Sequence, residues 1–213
     1  MNWLKSFFKP FLLLALLISA SAHAATEGQE YMRLSPPQPT DVGPRKVEVL
    51  EVFSYACPHC AHLAPLIEPW ARKLPPQVVF KRIPVSFGRD QWATMARTYY
   101  TLEALHLTDK LHVKIFQAIH EQRVDLFSQD TLFSWMEKQG VDRKKFISVF
   151  NSFAVQSAVE RGDQRAMALG IDSVPTIFVD GRFMTSPSMA GGNEAVIPVL
   201  DSLVRQAIKD KGL

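Results

Sequence analysis

Cys57 and Cys60 are the only cysteines in 213 residues, and they stand in the run Cys57-Pro58-His59-Cys60. Two thiols at this spacing can form a structural bridge, hold a metal, or cycle between dithiol and disulfide. A bridge across two residues closes a very short loop, worth about 2 kcal/mol in the chain-entropy model before strain is subtracted. It would be a poor sole staple for a chain this long. A metal needs ligands that converge. Cys57, His59, Cys60 and His62 are four donors, but the run is too compact to surround one tetrahedral ion, and no second cysteine pair exists. Beyond residue 24 the other histidines are His106, His112 and His120, all in a later helical block.

A redox dithiol fits the flanking residues. Residues 46–54 read as a strand, and a helix starts at the pair, with Pro58 at its first position, where a missing N–H costs nothing. Backbone N–H groups and the helix dipole favour a thiolate at Cys57, and a cationic His59 would add to this. Cys60, one turn further in, is expected to be more buried and harder to ionise. Cys57 is therefore the attacking or attacked sulfur, and Cys60 resolves the mixed disulfide. A stabilised thiolate stabilises the reduced form, so the disulfide becomes the stronger oxidant. The expected activity is disulfide donation. A reductase or isomerase is the alternative of the same class, and a non-enzymatic metal-binding chaperone the alternative of a different class.

The elements that must position the pair follow from periodicity. Within 46–54, Val47, Val49, Glu51 and Phe53 share one face, and Glu48, Leu50, Val52 and Ser54 the other. Glu51 is either an exposed acid on a half-solvated strand or a buried acid on a strand covered on both faces. The apolar character of both faces favours the second. The helix after Cys57 runs to about residue 73, with Pro65 and Pro69 predicting a kink or a division. A second strand at 78–83 is parallel to the first, because a helix intervenes. From residue 89 the period becomes 3.6, predicting helices over 92–107, 109–120, 130–139, 143–151 and 152–169, with aromatics as core. Strands return at 176–179 and 182–185 around a two-residue Asp180-Gly181 turn, followed by an amphipathic helix over 193–209. Residues 31–34 predict a short edge strand. Val174-Pro175 opens the 176–179 strand, where base rates favour a trans proline. The fold class is α/β, with a helical insertion between the second parallel strand and the terminal hairpin.

The first 24 residues predict a cleaved signal peptide. Lys5 and Lys9 precede an apolar stretch at 11–18, too short to span a bilayer, and Ala22-His23-Ala24 gives a small-x-small site with cleavage after Ala24. Export places the thiols where a disulfide persists. Formal charge is +3, and without the two leader lysines 22 basic residues face 21 acidic ones. That near-balance argues against nucleic acid as a partner. Hydrophobic content of 47% suits one globular domain, or one domain carrying a large insertion.

C-P-H-C preceded by Glu51-Val52-Phe53-Ser54-Tyr55-Ala56, with Val174-Pro175-Thr176-Ile177-Phe178-Val179-Asp180-Gly181-Arg182-Phe183 downstream, resembles the DsbA family of thiol:disulfide oxidoreductases in the thioredoxin superfamily. The likeness covers essentially all of residues 25–213. It implies a thioredoxin-like domain from 25–87 and 164–213, interrupted by a helical domain at 88–163. It implies that Cys57 is an exposed nucleophile of low pKa tuned by Pro58 and His59, and that Cys60 is its buried partner. Val174-Pro175 then corresponds to a cis-proline loop that pairs with substrate backbone, much as a strand edge does. Glu51 corresponds to a buried acid assisting proton transfer to Cys60. Neither a soluble cofactor nor a metal is implied. The implied partners are reduced, unfolded exported proteins in the periplasm and a quinone-linked membrane oxidase of the DsbB type, with the protein itself a monomer. Two residues depart from the family pattern. Arg82 replaces a lysine beside Glu51, keeping the charge but unable to lose a proton. Ala64 replaces an acid, predicting a less negative surface around Cys57.

Overall fold

The computed structural model describes residues 25–213; the leader and its expected cleavage site after Ala24 lie outside the described residues. Its elements in chain order are β1 (Met32–Arg33), β2 (Val47–Phe53), α1 (Pro58–Ala71), β3 (Val78–Pro84), α2 (Asp90–Ala104), α3 (Thr108–Phe116), α4 (Gln129–Lys138), α5 (Arg143–Phe150), α6 (Phe153–Ala168), β4 (Thr176–Val179), β5 (Phe183–Thr185), α7 (Pro187–Ala190) and α8 (Val196–Asp210). The sheet they form has the order β1-β5-β4-β2-β3. Strand β2 is central. It runs parallel to β3, as the intervening helix requires, and antiparallel to β4. β1 is an edge strand, pairing Met32 with Met184 and Arg33 with Phe183.

All seven residues of β2 are buried, because helices cover both faces of the sheet. Val47 and Val49 pack with Leu63 and Ile67 of α1 and with Val199, Leu200 and Leu203 of α8. Leu50 and Val52 pack on the other face with Ile83 of β3 and Ala166 of α6. A third cluster joins Phe53, Tyr55, Cys57 and Cys60 to Met95, Leu111, Phe116 and Phe133 of the helical insertion. The cysteine pair therefore lies where the end of β2 meets the insertion.

Several details differ from expectation. α1 continues through Pro65 and Pro69 rather than dividing. Both prolines are exposed, so the acceptors they fail to bond, the carbonyls of Ala61 and Pro65, lie on the side where water can substitute. The opposite side is held by Leu63, Ala64 and Ile67, and by the bond from Trp70 Nε1 to Asp201 Oδ1 at 2.7 Å. The single helix expected over 109–120 is α3 followed by a π-helical turn at Gln117–Glu121. Arg182 belongs to the turn, not to the return strand. Its N–H donates to the Val179 carbonyl at 3.1 Å, and the β4–β5 pairing resumes with Val179 opposite Phe183. Ser35–Pro36 is a cis peptide that periodicity gave no sign of.

Gly181 illustrates how tightly this turn is built. Its φ is +63°, and a Cβ there would stand 2.0 Å from the Gln38 carbonyl oxygen. Gly191 has φ +88° but open space around it. Gly181→Ala is expected to cost about 2 kcal/mol or more in urea unfolding, since backbone must move, whereas Gly191→Ala costs only the conformational penalty of about 1 kcal/mol. Equal losses would show that the Gln38 contact is not a constraint.

Candidate active site

Cys57 ends the β2-to-α1 connection in extended backbone, φ −91° and ψ 118°, as the residue capping α1, and its side chain makes no capping bond. Its N–H donates to Ser54 O at 3.1 Å, which fixes the turn. Pro58 begins the helix and, like His59, is exposed. Cys57 is 6% exposed and Cys60 fully buried. Cys57 is thus more enclosed than its expected exposed character, because the Val174 loop stands over it: the Cys57 thiol donates to Val174 O at 3.3 Å. The Val174–Pro175 peptide is cis. Pro175 is buried and Val174 half-buried.

The two sulfurs are driven in opposite directions. The Cys57 thiol is pulled down to about 6, chiefly by a hydrogen bond from the Cys60 thiol, against the opposing effect of burial. The N–H groups of Cys60 and His59 add to the lowering, and the His59 charge contributes least. Burial pushes Cys60 well above the ordinary thiol range. The bond to Cys57, the Cys57 charge and the more distant Glu51 charge push the same way. The neighbouring thiol thus precedes the helix N-terminus and His59 among the causes, an order that the one-dimensional motif does not disclose.

Glu51 lies on the α1-facing side of β2, 2% exposed. The β2–β3 register sets Arg82 directly opposite it, and Arg82 Nε donates to Glu51 Oε2 at 2.8 Å. Arg82 Nη2 donates to a second carboxylate, Glu68 of α1. Burial raises the Glu51 pKa, Arg82 opposes this, and the Glu68 charge adds to it. From the insertion, His112 of α3 approaches the same carboxylate, with Nε2 3.7 Å from Glu68 Oε1. Its Nδ1 lies 2.8 Å from Tyr55 Oη, while His120 Nε2 lies 2.8 Å from Tyr55 O. Burial, then Arg82, holds the His112 pKa well below the usual imidazole range, so the ring is neutral at pH 7.

Glu68, Tyr55 and His112 are the polar members that sequence reasoning missed. Glu68 carried a readable signal: a carboxylate on the helix face otherwise made of Cys60, Leu63, Ala64 and Ile67. Ala64 needs a correction. It is fully buried beside Cys60, so the residue does not alter the surface around Cys57 and instead leaves an apolar floor under the pair.

Beside the pair, a cavity of about 590 Å³ is lined by His59, Val174, Pro175, Ser186, Pro187 and Asn193, among others. It offers room for an extended segment against the cis-proline loop. Among the described residues no group of three His, Cys, Asp or Glu side chains could hold a metal ion, and no helix is long and apolar enough to cross a membrane.

Thiolate absorbance of the reduced protein is expected to rise with a midpoint near pH 6, with Cys57 as the titrating group. Cys60→Ala, which removes the first cause, moves that midpoint upward further than His59→Ala does. A larger upward shift from His59→Ala would reverse the assigned order.

The DSBA-like thioredoxin domain family matches residues 48–199. The thiol:disulfide interchange protein DsbA of Bordetella parapertussis is 45% identical over 198 residues, covering 92% of this chain and 93% of the relative. The protein of that name from Pseudomonas aeruginosa is 36% identical, covering 89% of each. Its crystal structure superposes with a TM-score of 0.82 at 35% identity, over 89% of this chain and 97% of that one. The oxidoreductase NmDsbA1 of Neisseria meningitidis gives 0.77 at 27%, over 88% and 96%. The α/β fold is thus thioredoxin-like with inserted helices, and this chain, with its Cys57–Cys60 pair at the head of α1, belongs to the DsbA family of disulfide oxidoreductases.

Proposed function

We propose that the pair works as an oxidant, donating its disulfide to reduced, unfolded proteins exported to the periplasm. The observation that supports this most is the divergence of the two thiols, Cys57 lowered to about 6 and Cys60 raised. A substrate thiolate attacks Cys57 Sγ of the disulfide; the Cys57–Cys60 bond breaks and a mixed disulfide forms. Cys60 departs as a thiolate that its buried site disfavours, so it takes a proton. A second substrate thiolate then attacks the substrate sulfur of the mixed disulfide and expels Cys57, a good leaving group because of its low pKa. The substrate gains a disulfide, and two electrons stay on the enzyme dithiol.

Each neighbour has a role in this reading. Pro58 starts the helix that offers its N–H groups to Cys57, and His59 adds a minor electrostatic contribution. Val174 and Pro175 present a short backbone edge to the substrate at the mouth of the cavity. Glu51 gives the proton to Cys60 and takes it back on reoxidation, because Arg82 has no proton to lose at neutral pH. Reoxidation falls to a quinone-linked membrane oxidase of the DsbB type, and the protein acts as a monomer without a soluble cofactor. Residues 25–87 and 164–213 form the thioredoxin-like domain, and 88–163 the inserted one. The leader ending at Ala24 carries the protein to the periplasm.

Equilibration with glutathione tests the direction. An oxidase has a reduction potential far less negative than the about −270 mV of thioredoxin, and oxidises a dithiol peptide stoichiometrically. A thioredoxin-like value favours the reductase reading. For Glu51, replacement by Gln is expected to slow the proton-dependent steps of Cys60 by about 10²-fold, the low end for acid–base catalysis. Unchanged exchange rates and an unchanged thiol titration would remove Glu51 from the mechanism.

A further inference from the structure

The guanidinium of Arg82 is divided. Its Nε–H and one Nη2–H point in the same direction and form the fork that grips one carboxylate through both oxygens. Here Nε reaches Glu51 Oε2 at 2.8 Å while Nη2 is taken by Glu68 Oε1. The Arg82 side chain is only 12% exposed, and those of Glu51 and Glu68 are 2% and 11% exposed. Two buried acids therefore share one cation. Among the described residues no second cation completes the balance, since His112, 3.7 Å from Glu68, is neutral.

We propose that Glu68 is a positioning residue for the proton step at Cys60: by occupying Arg82 Nη2 it limits Glu51 to a single charge-assisted hydrogen bond. This rests on the reading of Glu51 as the proton carrier. A carboxylate held by both arms of the fork would be a poor base, its ionised form being too well stabilised. A carboxylate with one arm, and with a second negative charge sharing that cation, retains affinity for a proton. Burial acts in the same direction. Glu68 reaches this position because α1 packs over the β2–β3 pair, so the helix that begins at the reactive sulfur also brings the second acid to Arg82.

The groups that face Glu51 come from four elements. Arg82 lies on β3; Cys60 and Glu68 on α1; Tyr55 on the loop after β2; and Tyr99 on α2. Both tyrosines titrate far above neutrality because they are buried. Of the two sulfurs, only Cys57 changes charge near neutral pH, since burial holds the Cys60 thiol well above the ordinary range.

The step that reads this arrangement is resolution of a Cys57–glutathione mixed disulfide. Cys60 passes its proton to the Glu51 carboxylate, attacks Cys57 Sγ, and expels glutathione thiolate as the Cys57–Cys60 bond forms. Its rate rises with pH through the Glu51 titration. In Glu68→Gln the second negative charge is gone. The Glu51 carboxyl, followed by 13C NMR of labelled glutamate, is expected to titrate about one unit lower. The acid limb of the resolution rate moves down with it, giving roughly tenfold faster resolution below the original midpoint. If the Glu51 titration stays in place, the proposal is overturned. If it moves while the acid limb does not, the positioning role also falls, and the fault then lies with Glu51 as proton carrier. Should Glu68→Gln fail to fold, the unsubstituted protein supplies the test. Each of the two carboxyl resonances must then show an inflection at the other's midpoint, and independent single inflections would overturn the sharing of Arg82.

Discussion

The site depends on placing two sulfurs one helical turn apart in opposite electrostatic surroundings. Cys57 sits where α1 has not yet used its N–H groups, so a negative charge finds donors from the backbone. Cys60 sits where those groups are spent and the Phe53, Tyr55 and Ala64 side chains close around it. Either thiol alone would be unremarkable. Together they couple, because the Cys60 thiol can donate a hydrogen bond to a Cys57 thiolate only while Cys60 keeps its own proton. Burial of the second sulfur is thus part of what lowers the first.

That coupling moves the difficulty to Cys60, which must give up or accept a proton in an interior where charge is disfavoured. The polar network under α1 addresses this within the constraint that buried charges stay paired. At an effective dielectric of about 20, unit charges 4 Å apart still interact by roughly 4 kcal/mol. Arg82 meets both acids, and the Glu51 carboxyl, which burial and then the Glu68 charge push up, keeps affinity for a proton. The helical insertion contributes here as more than a lid: His112 of α3 reaches the same network and is tied to Tyr55. The edge-to-face contacts of Phe53 with Tyr55, Tyr99 and His112 lock its position.

How much of this was legible in the sequence follows from how local each feature is. The strand, the Pro58 start and the Cys57–Cys60 spacing lie within fifteen residues, and all stand as read. The parallel β2–β3 pairing was readable because a helix intervenes between the two strands, whereas the nearness of Arg82 to Glu51 was available only through the resemblance to DsbA, and the register now sets the two residues opposite each other. The Tyr55–His112 bond joins residues 57 positions apart, and no period or turn signal reports on it. Glu68 was half legible: its place on the apolar face of α1 marks it as a buried acid, but its partner Arg82 lies on another element. Of the kink or division that the prolines of α1 predict, the division is absent, because packing on the opposite face carries the helix through them.

Ala64 shows how the same packing constrains the chemistry. A carboxylate at that fully buried position would face the Cys60 sulfur from within α1, and its charge would oppose the Cys60 thiolate directly. With alanine there, the acid nearest along the helix is Glu68, one turn further from the sulfur and already bound to Arg82. Along that face the first negative charge is thereby moved from one helical turn to two turns away from Cys60, where it is paired with Arg82. If Glu51 carries the Cys60 proton, as proposed, the arrangement separates two demands that a single acid would have to meet together: exchanging the proton of the buried sulfur, and balancing the cation that keeps this exchange possible in an apolar interior.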